Sequence, residues 1–380
     1  MLTACTFGLV NSWGVFQSHY QEVILPDVNP STLAWIGSVQ YSLVFMPGLF
    51  AGRLFDIGFF HPMLMSASCL LVIATFLVAE CHEFWQFMLA QGIATGVGCG
   101  FIFGGALPVA SHWFKKKRST AFGVIATGSS YGGTVFPIIT RNLIPRIGFP
   151  WTMRILGFII LGHLILANLL VRRRLPPVKV AGGLFNLAAF KSPPYSLYVA
   201  NATIAFLGLY ACLTFIDVSA VNAGISPDFS FYLVSLGNAG SGCGRILSGI
   251  LSDKAGSLNI LIPFSVFAAV FTVIWPWCTT KGSLIAIALL YGISSGAFVG
   301  LLAVPVAQLG GTGDIGRRTG MLFTVASIGA VVGPPINGAI YSRYNSFHQV
   351  GIFAGCMILA GAILMTASRY SALGGWRGKF

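Results

Sequence analysis

Charged residues stand at two related positions in an otherwise apolar chain. The stretch GLFAGRLFDIG contains Arg53 and Asp56, and the stretch GRILSGILSDKAG contains Arg245 and Asp253. A carboxylate accepts hydrogen bonds from the free N–H groups at a helix N-terminus, and an arginine holds an organic carboxylate with two parallel hydrogen bonds. The first chemistry joins helices and the second binds an anion. These residues therefore predict conformational contacts between helices and a site for an anionic ligand.

The elements that carry these charges are membrane helices. The chain has 380 residues, of which 56% are hydrophobic and only 8% charged, whereas a soluble domain has about 25% charged residues. Apolar segments of about 18 residues or more recur along the chain, and each is long enough to cross about 30 Å of hydrocarbon. Runs such as LLVIATFLVA lack the alternation of a β-barrel. The sequence therefore predicts an all-α, multi-pass protein that has the lipid bilayer as its surroundings.

The positions of the basic residues predict orientation in the membrane. A net charge of +13 would suit nucleic acid, but the charges form short clusters between apolar segments, as orientation signals do. The clusters are KKKR (115–118), RRR (172–174) and GRR (316–318). We therefore expect no nucleic-acid partner, and we expect both termini in the cytosol. The plasma membrane is the expected location, with a vacuolar membrane as the alternative.

We predict twelve transmembrane helices in two pseudo-symmetric six-helix bundles. The one long polar interruption, 172–193, is the predicted cytosolic linker between an N-terminal bundle (1–171) and a C-terminal bundle (194–380). The predicted spans are 1–24, 32–54, 61–79, 83–110, 119–143, 151–171, 194–217, 229–252, 257–278, 282–308, 317–341 and 347–368.

The two halves carry matching residues. The matched pairs are Gly92 and Gly292, Gly96 and Gly296, Gly100 and Gly300, Arg118 and Arg318, Gly52 and Gly249, and Asp56 and Asp253. Two parallel repeats with a path between them are the architecture of a secondary transporter. Glycine lets a neighbouring helix approach closely, so we expect Gly52, Asp56, Arg118, Gly249, Asp253 and Arg318 to form conformational contacts between the halves. The alternative for each aspartate is an ordinary solvated charge at a helix end.

Several stretches resemble the major facilitator superfamily and, more narrowly, the fungal branch of its monocarboxylate-porter family. They are GRLFDIG, KKKR, GLVNSWGVFQSHY, GSSYGGTVFPI, IGFPWTMRILGFI and GRILSGILSDKAGSLNIL. The resemblance implies alternating-access transport without ATP, and it places Arg245 where the family's proton–lactate carriers hold the substrate carboxylate. The alternative is an arginine that extends to the lipid headgroups.

The chain departs from that family pattern at three points. Ser241 stands where those carriers have an acid, and Asn11 stands where they have a basic residue. The family's usual opening signature is also absent, so we expect a short first helix, from a short gene model or a natural truncation.

Other polar residues are weaker candidates. We expect Asn11, Tyr41, Tyr131, Asn238 and Ser241 to join Arg245 in contacting substrate, with Gln40, Asn201 and Tyr210 nearby. Asp217 and Arg154 are candidate coupling residues, although a solvated loop acid and an interfacial anchor are the alternatives. His163 is expected to be a hydrogen-bonded core residue.

The sequence predicts neither an enzyme nor a cofactor. The eight cysteines have no paired spacing, and AECHE (79–83) has no second cluster of metal ligands. The expected function is secondary transport of a small organic anion or amphipathic metabolite, by efflux or uptake, with protons as a candidate coupling ion. Because Ser241 and Asn11 replace the ionisable pair, a larger metabolite such as a secondary metabolite or vitamin is favoured over lactate. The alternative is a sensor or an inactive, truncated pseudo-transporter.

Overall fold

The computed structural model describes residues 1–174, 183–310 and 314–380. Within these ranges the secondary structure is entirely helical, and nine helices are long and apolar enough to cross a membrane. One of them, Arg118–Leu170, has 53 residues and breaks at Gly148, so it makes two crossings.

Grouping consecutive helical segments gives twelve helical units in the described residues, which we call spans 1 to 12; spans 1 and 8 are not among the nine helices counted above. The first six spans are Leu2–Asn11 with Trp13–His19 and the π-helix Tyr20–Ile24 (span 1), Pro30–Phe45 with Gly48–Asp56 (span 2), Phe60–Val78 (span 3), Phe84–Phe87 with the π-helix Met88–Thr95 and Gly96–Trp113 (span 4), and the two parts of Arg118–Leu170 (spans 5 and 6). The other six are Pro193–Leu209 with Ala211–Asn222 (span 7), Pro227–Ala255 (span 8), Ser257–Ile274 with Trp275–Trp277 (span 9), Lys281–Leu301 with Val304–Gln308 (span 10), Ile315–Tyr344 (span 11) and Phe347–Leu373 (span 12). Residues Leu187–Lys191 form a short 3-10 helix before span 7.

The turn between spans 5 and 6 is tighter than the sequence predicts. We expected spans at 119–143 and 151–171, but helical structure continues on both sides of Gly148. This glycine has φ 78°, a left-handed conformation that glycine adopts without a steric penalty. Pro150 follows at the start of span 6. A proline costs no helical hydrogen bond there, because the N–H groups of the first turn have no partner inside the helix.

Equivalent glycines make equivalent packing contacts in the two halves. A Cβ atom on Gly96 of span 4 would lie 2.8 Å from Cβ of Leu43 in span 2, and one on Gly296 of span 10 would lie 2.4 Å from the Ser241 carbonyl oxygen in span 8. Larger residues would therefore push these helices apart. The repeated glycines therefore set the same close packing twice, between spans 2 and 4 and between spans 8 and 10.

The halves meet along two seams. Span 5 packs against span 8, and span 2 packs against span 11. These four spans therefore bring the charged residues of the sequence motifs to the interface between the bundles.

Candidate functional site

Four helix ends meet at one end of the molecule, which we call the linker end. Span 2 ends there at Asp56 and span 8 at Ala255, while spans 5 and 11 begin there. A helix N-terminus has four N–H groups without partners inside the helix. The linker end therefore brings the carboxylates of spans 2 and 8 to the free N–H groups of spans 11 and 5.

Asp56 forms the first contact between the halves. Its Oδ1 accepts a hydrogen bond from Gly316 N at 3.1 Å, and its Oδ2 accepts one from Arg317 N at 2.9 Å. The residue is 5% exposed. The helices touch here through glycine, because a Cβ on Gly52 would lie 2.0 Å from the Gly316 carbonyl oxygen.

Asp253 forms the equivalent contact in the other direction. Its Oδ1 accepts from Ser119 N at 2.9 Å, and its Oδ2 accepts from Thr120 N at 3.0 Å and from the Thr120 hydroxyl at 2.6 Å. A Cβ on Gly249 would lie 2.8 Å from the Ser119 carbonyl oxygen. Both carboxylates thus face the positive end of a helix in the opposite half, where negative charge is stabilised.

The arginines of the repeated motif stay within their own halves. Arg118 Nε donates to the Phe114 carbonyl at 3.4 Å. Arg318 donates to Asp314 Oδ2 at 3.1 Å and to the Leu309 carbonyl at 2.6 Å. They therefore support the turns that lead into spans 5 and 11, while the backbone N–H groups beside them make the contacts between halves.

A basic side chain donates hydrogen bonds to backbone carbonyls at the end of span 2, and another does so at the end of span 8. Arg173, just after span 6, donates to the Phe55 carbonyl and, at 3.2 Å, to the Asp56 carbonyl. Lys379, beyond span 12, donates to the Asp253 carbonyl at 2.8 Å. Burial lowers the pKa of the Arg173 guanidinium, and the nearby Asp56 charge opposes that shift. The segments that follow spans 6 and 12 therefore cap carbonyls at the ends of spans 2 and 8.

Arg245 lies at the interface deeper in the molecule. It is 8% exposed, and Nη1 donates to the Ala126 carbonyl and the Ser129 hydroxyl of span 5, in the other half. Its Nε has no hydrogen-bond partner in the described part of the chain. Arg245 precedes the end of span 8 at Ala255 by ten residues, which is about 15 Å along a helix. The guanidinium is therefore near the middle of the bundle.

Two of the predicted polar residues, Asn11 and Asn238, lie close together against span 5. Asn238 Nδ2 donates to the Gly133 carbonyl at 3.3 Å, and a Cβ on Gly133 would lie 2.2 Å from Asn11 Nδ2. The amides of spans 1 and 8 thus meet on span 5. Ser241 is buried against Gly296 of span 10 instead.

Tyr41 reaches across the interface to the second half. Its ring contacts the Tyr210 ring edge-on at 5.2 Å between centroids. The Tyr41 hydroxyl is buried and has no hydrogen-bond partner in the described residues.

Three other candidates lie outside this interior. Tyr131 is 51% exposed and lines a shallow outer groove, so it does not have the interior position expected of it. Asp217 accepts a hydrogen bond from the Ser230 hydroxyl in its own half. Arg154 pairs with Glu80 at 2.6 Å, again within one half. His163 Nδ1 lies 2.8 Å from the Ile159 carbonyl, as expected, but the residue is half-buried and lines the same outer groove, so the prediction of a core position is wrong.

The chain belongs to the Major Facilitator Superfamily, whose family model matches residues 2–311. It is 36% identical over 376 residues to the aspyridones efflux protein apdF of Emericella nidulans, which covers 98% of this chain and 76% of the relative. It is 38% identical over 374 residues to MFS-type transporter 1 of an Ophiocordyceps species, which covers 98% of this chain and 83% of the relative. The protein is therefore a multi-pass membrane transporter with relatives in fungal metabolite efflux, and not an enzyme.

The fold is that of solved transporters in the same superfamily. The E. coli fucose:proton symporter FucP superposes with a TM-score of 0.75 at 14% identity, covering 97% of each chain. At this identity the similarity concerns the fold alone, and it confirms the predicted all-helical class.

Proposed function

We propose that this protein exports an organic anion or amphipathic metabolite by alternating access, as a relative of the monocarboxylate porters. The observation that carries the proposal is Arg245, a buried guanidinium held between the two halves near mid-depth. An arginine in a membrane span needs an anionic or polar partner, because the charge is costly in lipid. The name of the E. nidulans relative, an efflux protein, supports the direction of transport.

In this proposal Arg245 exchanges protein contacts for the substrate. When the linker end is closed, Nη1 is occupied by the Ala126 carbonyl and the Ser129 hydroxyl, and Nε has no partner. Separation of spans 5 and 8 would free Nη1 as well. A carboxylate of the substrate would then bind the guanidinium in the bidentate geometry that arginine favours, across either Nη1 and Nη2 or Nε and Nη2.

The two aspartates act as latches in the same cycle. Asp56 and Asp253 hold the linker end closed through N–H groups of the opposite half, and both contacts must break for that end to open. We place the linker end in the cytosol from the distribution of basic residues, and we take the plasma membrane as the default location, with a vacuolar membrane as the alternative. With Asn11 and Ser241 in the positions of the family's ionisable pair, Asp217 and Arg154 are our separate candidates for proton coupling, each bonded within its own half in this structure.

Transport by purified protein in proteoliposomes tests this function. The substrates are lactate, pyruvate, riboflavin and a panel of aromatic polyketide acids, each measured with and without a pH gradient. We expect movement of one of the larger acids, and we expect Arg245→Ala to abolish it and Arg245→Lys to retain part of it. Arg146→Ala, which removes an exposed cation at the opposite end, is the matched control.

The outcomes separate the proposal from its alternative. Unchanged transport affinity in Arg245→Ala would remove the anion site. If intact wild-type protein moves no compound, the sensor or inactive pseudo-transporter becomes the better interpretation. Gradient-driven transport that is lost in Asp217→Asn would identify the coupling acid.

A further inference from the structure

Six aromatic rings meet where the two halves face each other. Three belong to the first half and three to the second. We call them the ring cluster, and they are Tyr41, Phe45, Phe103, Phe206, Tyr210 and Phe323.

Phe45 is the centre of the ring cluster. Its ring lies 5.7 Å from Phe103 in its own half, and 5.7 Å and 6.1 Å from Phe206 and Phe323 in the other half, between centroids. Phe45 and Phe206 are 2% and 1% exposed. The rings therefore form one packed group that crosses the interface.

The ring cluster coincides with interruptions of two spans. The first helix of span 2 ends at Phe45 and the next begins at Gly48, while span 7 is interrupted at Tyr210 between Leu209 and Ala211. Discontinuous helices at the interface of the repeats are where transporters bind substrates. Phe323 stands eight residues after the start of span 11 at Ile315, about 12 Å along the helix, so the ring cluster has nearly the depth of Arg245.

Polar groups border the ring cluster on one side. The Tyr41 hydroxyl is buried there without a hydrogen-bond partner in the described residues, and the Tyr41 ring packs edge-on against Tyr210. The Arg245 Nε has no protein partner in the described residues. A ligand bound at the ring cluster would contact aromatic faces in the middle. At the edge it would contact the Arg245 guanidinium and the phenol groups of Tyr41 and Tyr210.

We infer that the ring cluster selects a flat, conjugated organic acid as the transported substrate. This inference rests on the proposed function and names the substrate class for the same site. The conjugated part would stack among Phe45, Phe206 and Tyr210, and the acidic oxygen would bind Arg245.

The physical reason is that the substrate replaces contacts between aromatic rings with aromatic contacts of its own. Aromatic pairs gain from edge-to-face and offset-stacked geometry beyond the area that they bury. When the halves separate, the rings of Phe45, Phe206 and Phe323 lose each other as partners. A flat conjugated substrate replaces those contacts with contacts of the same kind, whereas a saturated molecule of equal size has no π face to offer.

Two acids of matched size and charge test the selectivity. The probes are naphthalene carboxylate and its saturated counterpart, decalin carboxylate, with dissociation constants measured by calorimetry on the purified full chain in detergent. The variant is Phe206→Leu, which removes a ring and keeps an apolar side chain. The control is Phe158→Leu, which removes the ring of a residue in span 6 that is 59% exposed. Size-exclusion profiles and melting temperatures establish that each variant is folded.

We expect wild-type protein to bind the aromatic acid more tightly than the saturated one. Phe206→Leu should weaken the aromatic acid about 3- to 10-fold, the value of one aromatic pair, and leave the saturated acid within about two-fold. Phe158→Leu should change neither. Arg245→Ala should weaken both acids to the same extent, because both carry the carboxylate.

Several results would overturn the inference. They are equal wild-type affinity for the two acids, equal loss of both in Phe206→Leu, and binding of neither acid by folded protein. In each case the ring cluster would be only a hydrophobic seal between the halves. Failure of the proposed function is seen separately: selective binding without transport in proteoliposomes rejects the transporter, while equal transport of both acids rejects only the ring selectivity.

Discussion

Replacement of Asp56 by asparagine should open the linker end. Asparagine is nearly isosteric, but its single carbonyl oxygen can replace only one of the two acceptors that Gly316 N and Arg317 N now use. A hydrogen bond to a charged group contributes about 1.5–3 kcal/mol, and a carboxylate at a helix N-terminus adds up to about 2 kcal/mol when partly buried. Because one neutral bond remains and the released N–H groups meet water, we expect a net loss of about 2–3 kcal/mol. That loss shifts the closed-to-open ratio by roughly 30- to 150-fold.

Amide hydrogen exchange measures this shift directly. Gly316 N and Arg317 N belong to the first turn of span 11, where no helical carbonyl protects them, so their protection depends on Asp56. We expect faster exchange in Asp56→Asn for the peptide that contains both residues. Asp27→Asn, which changes an exposed carboxylate in the turn between spans 1 and 2, is the matched control and should leave that peptide unchanged.

The second latch tests whether the halves move as rigid bodies. If they do, Asp56→Asn also exposes Ser119 N and Thr120 N, although Asp253 is intact. Unchanged exchange at Gly316 and Arg317 would refute the latch, because it would mean that the carboxylate does not hold this helix end. Faster exchange at span 11 alone would refute the rigid-body movement.

Three smaller predictions concern neighbouring contacts. Gly52→Ala would place a Cβ only 2.0 Å from the Gly316 carbonyl oxygen. This clash should keep the linker end from closing and speed the same amide exchange. Arg173→Ala removes two bonds to carbonyls and should lower the melting temperature by more than Lys379→Ala, which removes a single exposed bond; equal effects in a melting assay would contradict the capping role. Glu80→Gln breaks an ion pair in which the carboxylate side chain is 61% exposed, so in a melting assay it should cost less than about 1 kcal/mol of folding free energy.

Much of the fold follows from local patterns. Hydropathy and length predict the spans, and the repeated glycines and aspartates predict two related bundles. Asp56 and Asp253 were identified as contact residues because a charge repeated at equivalent helix ends is visible in one sequence. Arg245 was identified because an arginine is rare in an apolar segment.

What each residue contacts was decided by tertiary structure. The partners of Asp56 and Asp253 are backbone N–H groups, which every residue except proline possesses, so no side chain marks them in the sequence. The side chains of Arg118 and Arg318, which do stand out, turn away into their own halves.

The ring cluster shows the same limit most clearly. The sequence contains 31 phenylalanines, nearly all in apolar segments, and nothing local distinguishes Phe45, Phe206 or Phe323 from the others. Hydropathy places each of them in a membrane span, but it does not indicate which face of the helix contacts the opposite half. That choice depends on helix rotation and on close glycine contacts between segments distant in the chain, so the sequence by itself determined the class of protein and the tertiary structure determined the site.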